Sequence, residues 1–280
     1  MRVDHDRAGP MRHIDRTERV MWVTPDRVFY VGLLGVPSAR SIGAISLYVA
    51  LDAPVQISVE GGQWQTGHVA IVQPYVSHRI ACDARQIAVI HVEPESVDGA
   101  GLPAMLRQGS GLLAAEDFRA RALRCHQALM RNGQRADAPM FDFDQLVFGA
   151  ALPSRSVDPR IAKVLERIRS APASQALAQD CAAQVHLSFS RFLHLFKSEV
   201  GVSFRSFRAW KRARSLLHHV VDQHTTLTDV ALCAGYPDST HFSHSIRQVY
   251  GLKPKDIFAG SRKLRVIGAP QPVAQRGLNP

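Results

Sequence analysis

An internal repeat of about 50 residues constrains the fold of this chain more than any other feature of its sequence. Aligning Gly201 with Gly251 brings similar residues into register. The matched pairs are Phe192 with Phe242, His194 with His244, Phe196 with Ile246 and Lys197 with Arg247. Self-similarity of this kind predicts two copies of one supersecondary unit in the last third of the chain.

Each copy has the pattern of a helix-turn-helix unit. Ala182 and Ala231 are small residues in the first helix of each unit, where a second helix can cross closely. Ser188 and Asp238 are residue types that cap the start of the second helices. The chain between Ser174 and Phe258 is therefore predicted to hold two such units.

The second helix of each unit has one apolar and one polar face. Phe192, Leu195 and Phe196 recur at i, i+3 and i+4, so they face a core, as do Phe242 and Ile246. The intervening positions must face outward and are mostly hydrogen-bonding residues: Ser190, Arg191, Leu193, His194, Ser239, Thr240, Ser243 and His244. Such a face is what a recognition helix offers to the major groove of DNA.

The positive charge of the chain is concentrated on this region. Residues 156–265 contain 17 Lys and Arg and 8 Asp and Glu, a net charge of +9 out of +10 for the whole chain. Charge alone does not distinguish a phosphate-binding surface from a solvated basic face. Together with the two helix-turn-helix patterns it favours binding to double-stranded DNA.

The C-terminal third resembles the DNA-binding domain of the AraC/XylS family of bacterial transcription regulators. The residues that carry the resemblance are Leu187, Ser188, Phe196, Lys197, Gly201, Arg212, Leu227, Val230, Ala231, Gly235, Tyr236, Asp238, His241, Phe242, Ser243, Gly251 and Pro254. The sequence departs from the family pattern in packing positions: His186, Leu216, Val220 and Ile246. The resemblance implies a sequence-specific regulator, with RNA polymerase as a further partner.

Two roles are predicted for side chains on the DNA-facing surface. Base reading is expected from Ser190, Leu193, His194, Ser239, Thr240, Ser243 and His244. Phosphate contacts are expected from Arg191, Lys197, Arg212 and Arg247, with an intradomain ion pair as the alternative for Arg212. A helix over 204–221 is expected to join the units, with Phe207, Trp210, Leu217 and Val221 facing inward and Arg205, Arg208, Lys211 and Arg214 outward.

The first half of the chain has the pattern of a β-rich domain. Short apolar runs separated by turn residues predict strands at residues 20–22, 28–36, 42–51, 55–59, 69–72, 77–81 and 86–92. This spacing predicts a small sandwich or barrel. The region resembles, more weakly, the cupin-like sensor domain of many AraC-family proteins, through Tyr30-Val31-Gly32, Gly67, Pro74 to His78 and Pro94-Glu95-Ser96.

Metal and cofactor binding are not expected in the β domain. Metal-binding cupins carry a His-x-His pair, whereas His68, His78 and His91 stand singly here. His78 is expected to be a structural histidine, with a role inside the barrel as the alternative. An organic effector is compatible with a small barrel, and aromatic residues are either its lining or ordinary core: Trp22, Tyr30, Tyr48, Trp64 and Tyr75.

The remaining segments complete an α+β, two-domain prediction. Helices are expected at residues 112–131 and 141–152, either covering the barrel or forming a homodimer interface. The expected divisions are a disordered tail at 1–17, a cupin-like sensor or dimerisation domain at 18–152, a linker at 153–157, a DNA-binding domain at 158–260 and a disordered basic tail at 261–280.

Three functional hypotheses follow from the sequence. The first is a DNA-binding regulator controlled by a small-molecule effector or by dimerisation, and the second is a constitutive DNA-binding regulator. The third, a cupin-type metalloenzyme tethered to DNA, lacks a catalytic motif, so no enzyme activity is expected. The charged N-terminus lacks a signal-peptide pattern and no run of about 20 apolar residues exists, which predicts a cytoplasmic protein without a membrane span.

Overall fold

The fold combines a β-sheet region with a helical region. The computed structural model describes residues 19–84, 86–132, 142–172, 174, 177–218, 226–260 and 264–268. The strands are β1 Arg19–Val23, β2 Arg27–Leu33, β3 Ile45–Ala50, β4 Val55–Val59, β5 Gln65–Gly67, β6 Val69–Val72, β7 His78–Cys82, β8 Gln86–Val92, β9 Gly111–Leu113 and β10 Leu264–Ile267. The helices are α1 Ala104–Arg107, α2 Glu116–Asn132, α3 Phe143–Val147, α4 Pro159–Ser170, α5 Ala178–Gln184, α6 Phe189–Val200, α7 Phe204–Ser215, α8 Leu227–Cys233, α9 Ser239–Tyr250 and α10 Pro254–Gly260.

Two sheets form the β region. The larger has the order β10-β1-β2-β8-β3-β6-β9, and the smaller has the order β5-β4-β7. All the pairings are antiparallel except that of β10 with β1, which is parallel. The predicted mixed α+β class is confirmed, and its β part is a pair of sheets arranged like a sandwich.

The two faces of the large sheet pack against different parts of the protein, because successive side chains along a strand point to opposite faces. In β1, Val20 and Trp22 face the core beneath α2 and α3, whereas Met21 and Val23 face the helical region. Successive strand side chains point to opposite faces, so both sides of β1 are buried by different partners. The almost unbroken apolar sequence of β1 is explained by this double burial.

The two sheets enclose a second apolar layer between them. Tyr48, Ile57 and Ile80, from β3, β4 and β7, are fully buried together there. On the opposite face, α2 buries Phe118 and Leu129 against the large sheet. This packing supports the covering role for α2, and the homodimer interface stays a prediction.

The two helix-turn-helix units are packed differently. The first, built on α5 and α6, has a core shared with α4 and the start of α7 that includes Ile161, Phe192 and Phe196. The second, built on α8 and α9, places Phe242 and Ile246 in one core with Met21 and Val28 of the sheet. The second unit is therefore joined to the β region through a common core.

Two predicted helices differ from the structure. The expected helix at 112–131 begins at Glu116, because residues 111–113 form β9 and pair with β6. The expected helix at 141–152 is reduced to Phe143–Val147, since Gly149 adopts a left-handed φ of 86° just after it. Residue 141 lies outside the described part of the chain.

The predictions for the connecting helix and for the two terminal tails also differ from the structure or fall on residues that it does not describe. The connecting helix ends at Ser215 and continues as a 3-10 turn over Leu216–His218, and the rest of its predicted span falls outside the described residues. The tail predicted to be disordered contains β10, because Leu264 to Ile267 pair with the exposed edge of β1. The expected tail at residues 1–17 is not among the residues that the structure describes.

Candidate nucleic-acid interface and ligand cavity

The two helix-turn-helix units have equivalent turns. The amide of Leu187 donates to the carbonyl of Ala182 at 3.0 Å, and that of Tyr236 donates to Ala231 at 2.9 Å. Each turn contains a residue with positive φ, His186 at 55° and Gly235 at 76°. A histidine thus adopts the left-handed conformation that glycine provides in the second unit.

The ends of both second helices are fixed by side chains and glycines. Ser188 Oγ accepts from the amide of Arg191 at 3.4 Å, a weak cap for α6. Asp238 Oδ1 accepts from the amides of Thr240 and His241, each at 2.8 Å, and caps α9 more strongly. Hydrogen bonds from these amides lower the pKa of Asp238. Both helices end at glycines in the left-handed conformation, Gly201 and Gly251.

The residues predicted to read bases lie on corresponding faces of α6 and α9. Ser190, His194, Ser239, Thr240 and His244 are exposed, whereas Leu193 and Ser243 are half-buried. Leu193 packs partly against the core of its own unit. In each helix these residues follow an i, i+3, i+4 spacing, so they form one continuous face on that helix.

The residues predicted to contact phosphates divide into two groups. Arg191, Lys197 and Arg247 are exposed at the ends or edges of the two faces. Arg212 is half-buried on α7, and its Nε is buried without a hydrogen-bond partner. The first three are therefore accessible to a DNA backbone, and Arg212 is less so.

The predicted outward face of α7 is wrong for three of its four cations. Arg205 is exposed, but Arg208, Lys211 and Arg214 are buried. Arg208 donates to the carbonyls of Pro172 and Ser174, and burial lowers its pKa to about 10. Lys211 and Arg214 are turned inward because the β region supplies carboxylates and carbonyls that the sequence of α7 alone does not reveal.

A buried group of charged and polar side chains joins α7 to the end of β8. We call it the interdomain cluster: Glu93, Glu95, Trp210, Lys211 and Arg214. Glu93 accepts from Trp210 Nε1 and Lys211 Nζ, both at 2.8 Å, and its other oxygen lies 2.6 Å from Arg214 Nε. Lys211 also pairs with Glu95.

The charges of the cluster balance within a dry environment. Burial by itself would raise the pKa of Glu93, but Lys211 and Arg214 hold it below the ordinary value. Burial and the neighbouring Glu93 raise the pKa of Glu95. Arg214 donates further to the carbonyls of Thr24 at 2.6 Å and Arg27 at 3.2 Å. The sequence signal that was missed is the pair of glutamates directly after an apolar strand.

A cavity of about 290 Å³ lies between the sheet and the second helix-turn-helix unit. Its walls are mostly apolar and come from both regions, for example Met21 and Val28 on one side and Leu216, Tyr250 and Ile257 on the other. Volumes of this size accommodate small organic ligands.

One end of the cavity is polar. It is lined by Arg40, Tyr48 and His91. The Nε of Arg40 is buried without a hydrogen-bond partner, and burial lowers the pKa of its guanidinium. No carboxylate forms an ion pair with Arg40 among the described residues. A buried cation of this kind suits an anionic group on a ligand, because pairing would offset its desolvation.

The histidines of the β region have structural partners. His78 is buried, with its Nε2 2.6 Å from the Tyr48 hydroxyl and its Nδ1 3.0 Å from the carbonyl oxygen of Val76. His91 Nδ1 lies 3.0 Å from Ser46 Oγ. Within the described part of the chain, no group of three or more His, Cys, Asp or Glu residues is arranged to hold a metal ion.

The aromatic residues considered as cavity lining do not all lie there. Tyr30 and Tyr48 line the cavity. Trp22 instead packs on Phe143 with ring centroids 4.7 Å apart, and Trp64 is exposed. Tyr75 packs at the edge of the core shared with the second unit.

Sequence comparison finds a known domain in the last third of the chain. The family described as "Helix-turn-helix domain" matches residues 181–260. Invasion protein InvF of Salmonella typhi, and that of Salmonella typhimurium, is 32% identical over 72 residues, which are 25% of this chain and 33% of InvF. The chain therefore spans about a third of the length of the curated relatives that it matches.

Solved structures share the two-region fold over most of the chain at low sequence identity. Apo ToxT K231A from Vibrio cholerae strain SCE256 has a TM-score of 0.52 at 10% identity, covering 84% of this chain and 97% of that chain. ToxT from the same strain with an unsaturated fatty acid bound has a TM-score of 0.51 at 10% identity, covering 85% and 96%. The likeness concerns the fold. These matches confirm the resemblance of the C-terminal region to AraC/XylS regulators, and residues 181–260 form a helix-turn-helix domain.

Proposed function

We propose that this protein is a sequence-specific, DNA-binding transcription regulator that contacts double-stranded DNA through α6 and α9. The observation that carries the proposal is the presence of two equivalent helix-turn-helix units, each with an exposed polar face. Helices of this type enter the major groove, and flanking Arg191, Lys197 and Arg247 would hold phosphates. Such a regulator would act in the bacterial cytoplasm, with RNA polymerase as a further partner.

The proposal is tested by binding of the full chain to promoter DNA flanking its own gene, with a shuffled sequence as the control. We expect preference for the promoter and a steep loss of affinity between low and high salt, since phosphate contacts release counterions. Equal affinity for both DNAs at every salt concentration would contradict sequence-specific recognition.

We propose further that the cavity takes a small effector with an apolar body and one anionic group. The apolar walls suit the body, and Arg40 at the polar end suits the anion. The fatty acid bound by ToxT supports this chemical class, because the two proteins share a fold. A ligand in this position would touch both the sheet and the second helix-turn-helix unit.

Thermal unfolding tests the effector class. Oleate is expected to raise the melting temperature because a ligand that binds only the folded state stabilises it, whereas oleyl alcohol should do so much less. Arg40→Gln should reduce the oleate effect, while the matched control Arg79→Gln, at an exposed arginine of β7, should leave it unchanged. An equal response to oleate and oleyl alcohol would contradict an anion site at Arg40.

The alternatives differ in measurable ways. A constitutive DNA-binding regulator would show no effect of any cavity ligand on DNA affinity. A dimer formed through the β region would appear as a concentration-dependent mass in solution. A cupin-type metalloenzyme would carry stoichiometric metal after purification, which metal analysis would detect.

A further inference from the structure

We infer that the interdomain cluster is a conformational coupling device that fixes α7 to β8 and links the cavity to the position of the second helix-turn-helix unit. The inference rests on the proposed function, because it assigns a means of control to a DNA-binding regulator. It concerns Glu93, Glu95, Trp210, Lys211 and Arg214, none of which faces the DNA-reading surface.

The cluster favours a two-state contact between the regions. The carboxylates belong to the end of the sheet, whereas the indole and both cations belong to α7. Removing one partner would leave a buried charge uncompensated, so partial opening is unfavourable. Separation of the two surfaces would hydrate all the charges together. The contact is therefore either fully formed or open, as switching interfaces require.

The cavity and the interdomain cluster lie next to each other, because two residues that line the cavity also pack against Trp210. His91 lines the cavity, and Glu93 follows two residues later along the chain. The ring of His91 also meets Trp210 edge-on, with centroids 6.4 Å apart. Tyr250 of α9 also lines the cavity, and the centroid of its ring lies 6.3 Å from that of Trp210. A ligand that moves either wall residue thus acts directly on the indole that donates to Glu93.

The side chain of Trp210 packs closely against the backbone of Gly43. A Cβ atom added at Gly43 would lie 2.4 Å from Cγ of Trp210. The backbone of Gly43 therefore sets how closely α7 approaches the sheet. This close contact provides a steric way to open the interface that is independent of charge.

The two units would respond differently to opening. The first unit keeps its own core, which contains Phe192 and Phe196, whereas the second shares its core with Met21 and Val28. Loss of the cluster would leave the second unit attached to the sheet only through this apolar core, whereas the separate core of the first unit would stay intact. Opening of the contact would then change the position of α9 relative to α6, the two helices proposed to bind DNA.

Quenching of tryptophan fluorescence by iodide tests the inference in the full chain. Trp210 and Trp22 are buried and Trp64 is exposed, so Trp64→Phe gives a background with two buried tryptophans. In that background we expect Glu93→Gln and Gly43→Ala each to make one of the two accessible to iodide. The matched control is Asp144→Asn, which removes a half-buried ion-pair partner of Arg27 and should not expose Trp210.

The same variants should alter control of DNA binding. If oleate changes the DNA affinity of the wild type, that change should shrink to less than twofold in Glu93→Gln and Gly43→Ala. Unaltered quenching in both variants would overturn the inference, as would exposure equal to that of Asp144→Asn. Loss of all helical circular dichroism in both variants would also overturn it, since the cluster would then serve general stability. A wild type that fails to bind DNA would count against the proposed function, whereas quenching alone decides the coupling.

Discussion

The hydroxyl of Tyr48 lies 2.6 Å from Nε2 of His78, between two sheets that exclude water. Because Nδ1 of His78 lies 3.0 Å from the carbonyl oxygen of Val76, it carries the proton, and Nε2 accepts from Tyr48. Burial lowers the pKa of His78 to about 4 and that of His91 to about 3. Both histidines are thus neutral in the folded protein.

Acid should destabilise the protein through these histidines. An unfolded histidine takes up a proton near pH 6.5, whereas these two do so only near pH 4 and pH 3 in the fold. Stability is therefore highest above pH 6.5 and falls as the pH drops toward 4, by about 2 kcal/mol per histidine at pH 5. Urea unfolding at pH 7.5 and pH 5 should show a smaller decrease for His78→Gln, with His194→Gln as an exposed control. The same pH dependence in all three proteins would refute this account.

The core of the second helix-turn-helix unit should be sensitive to truncation. Phe242 is fully buried and meets the ring of Tyr236 edge-on, with centroids 5.3 Å apart. Phe242→Ala should lower the free energy of unfolding by about 3–5 kcal/mol because it leaves a cavity. Phe189→Ala, at a phenylalanine that is 47% exposed, should change it by less than about 0.5 kcal/mol. Chemical denaturation measures both, and similar losses would contradict the described packing.

The strand β10 should protect β1 from solvent exchange. It pairs in parallel from Arg19 with Leu264 to Trp22 with Ile267, and Arg265 donates to the carbonyl of Met130 in α2 at 3.1 Å. A chain that stops after residue 260 should therefore exchange the amides of β1 faster than one that stops after residue 268. Hydrogen–deuterium exchange compares the two truncations. Equal protection of β1 in both would show that β10 makes no stable pairing.

Exposed arginines should contribute affinity without sequence preference. Arg191→Ala or Arg247→Ala should weaken binding to every DNA sequence and reduce the slope of log affinity against log salt by about 1 each. Arg208→Ala should leave the salt slope unchanged because its guanidinium is buried against the carbonyls of Pro172 and Ser174. Titrations at several salt concentrations measure these slopes, and an effect of Arg208 equal to that of Arg191 would contradict the assignment.

Local patterns in the sequence account for most of the strands and for both helix-turn-helix units. The apolar runs at 55–59, 69–72 and 86–92 coincide with β4, β6 and β8, because each is bounded by turn residues. The caps Ser188 and Asp238 and the glycines that end both helices mark α6 and α9 in the same local way. The AraC/XylS resemblance added the identity of the domain.

Local sequence patterns could not predict the contacts between segments that are far apart in the chain. The helical pattern of α7 predicts that Lys211 and Arg214 face solvent, but both pair with Glu93, which lies more than a hundred residues away in the chain. Arg40 sits in a segment without periodicity, and its place at the polar end of the cavity depends on Tyr48 and His91 from other strands. The strand β10 was missed because its pairing depends on the exposed edge of β1.

A footprint of the full chain on promoter DNA would show whether α6 and α9 each read a separate major groove. Two protected segments about one helical turn apart on one face of the DNA are predicted. His194→Ala should weaken one protected segment and His244→Ala the other, because these residues lie on α6 and α9 respectively. A single protected segment, or equal loss of both segments in each variant, would contradict the account.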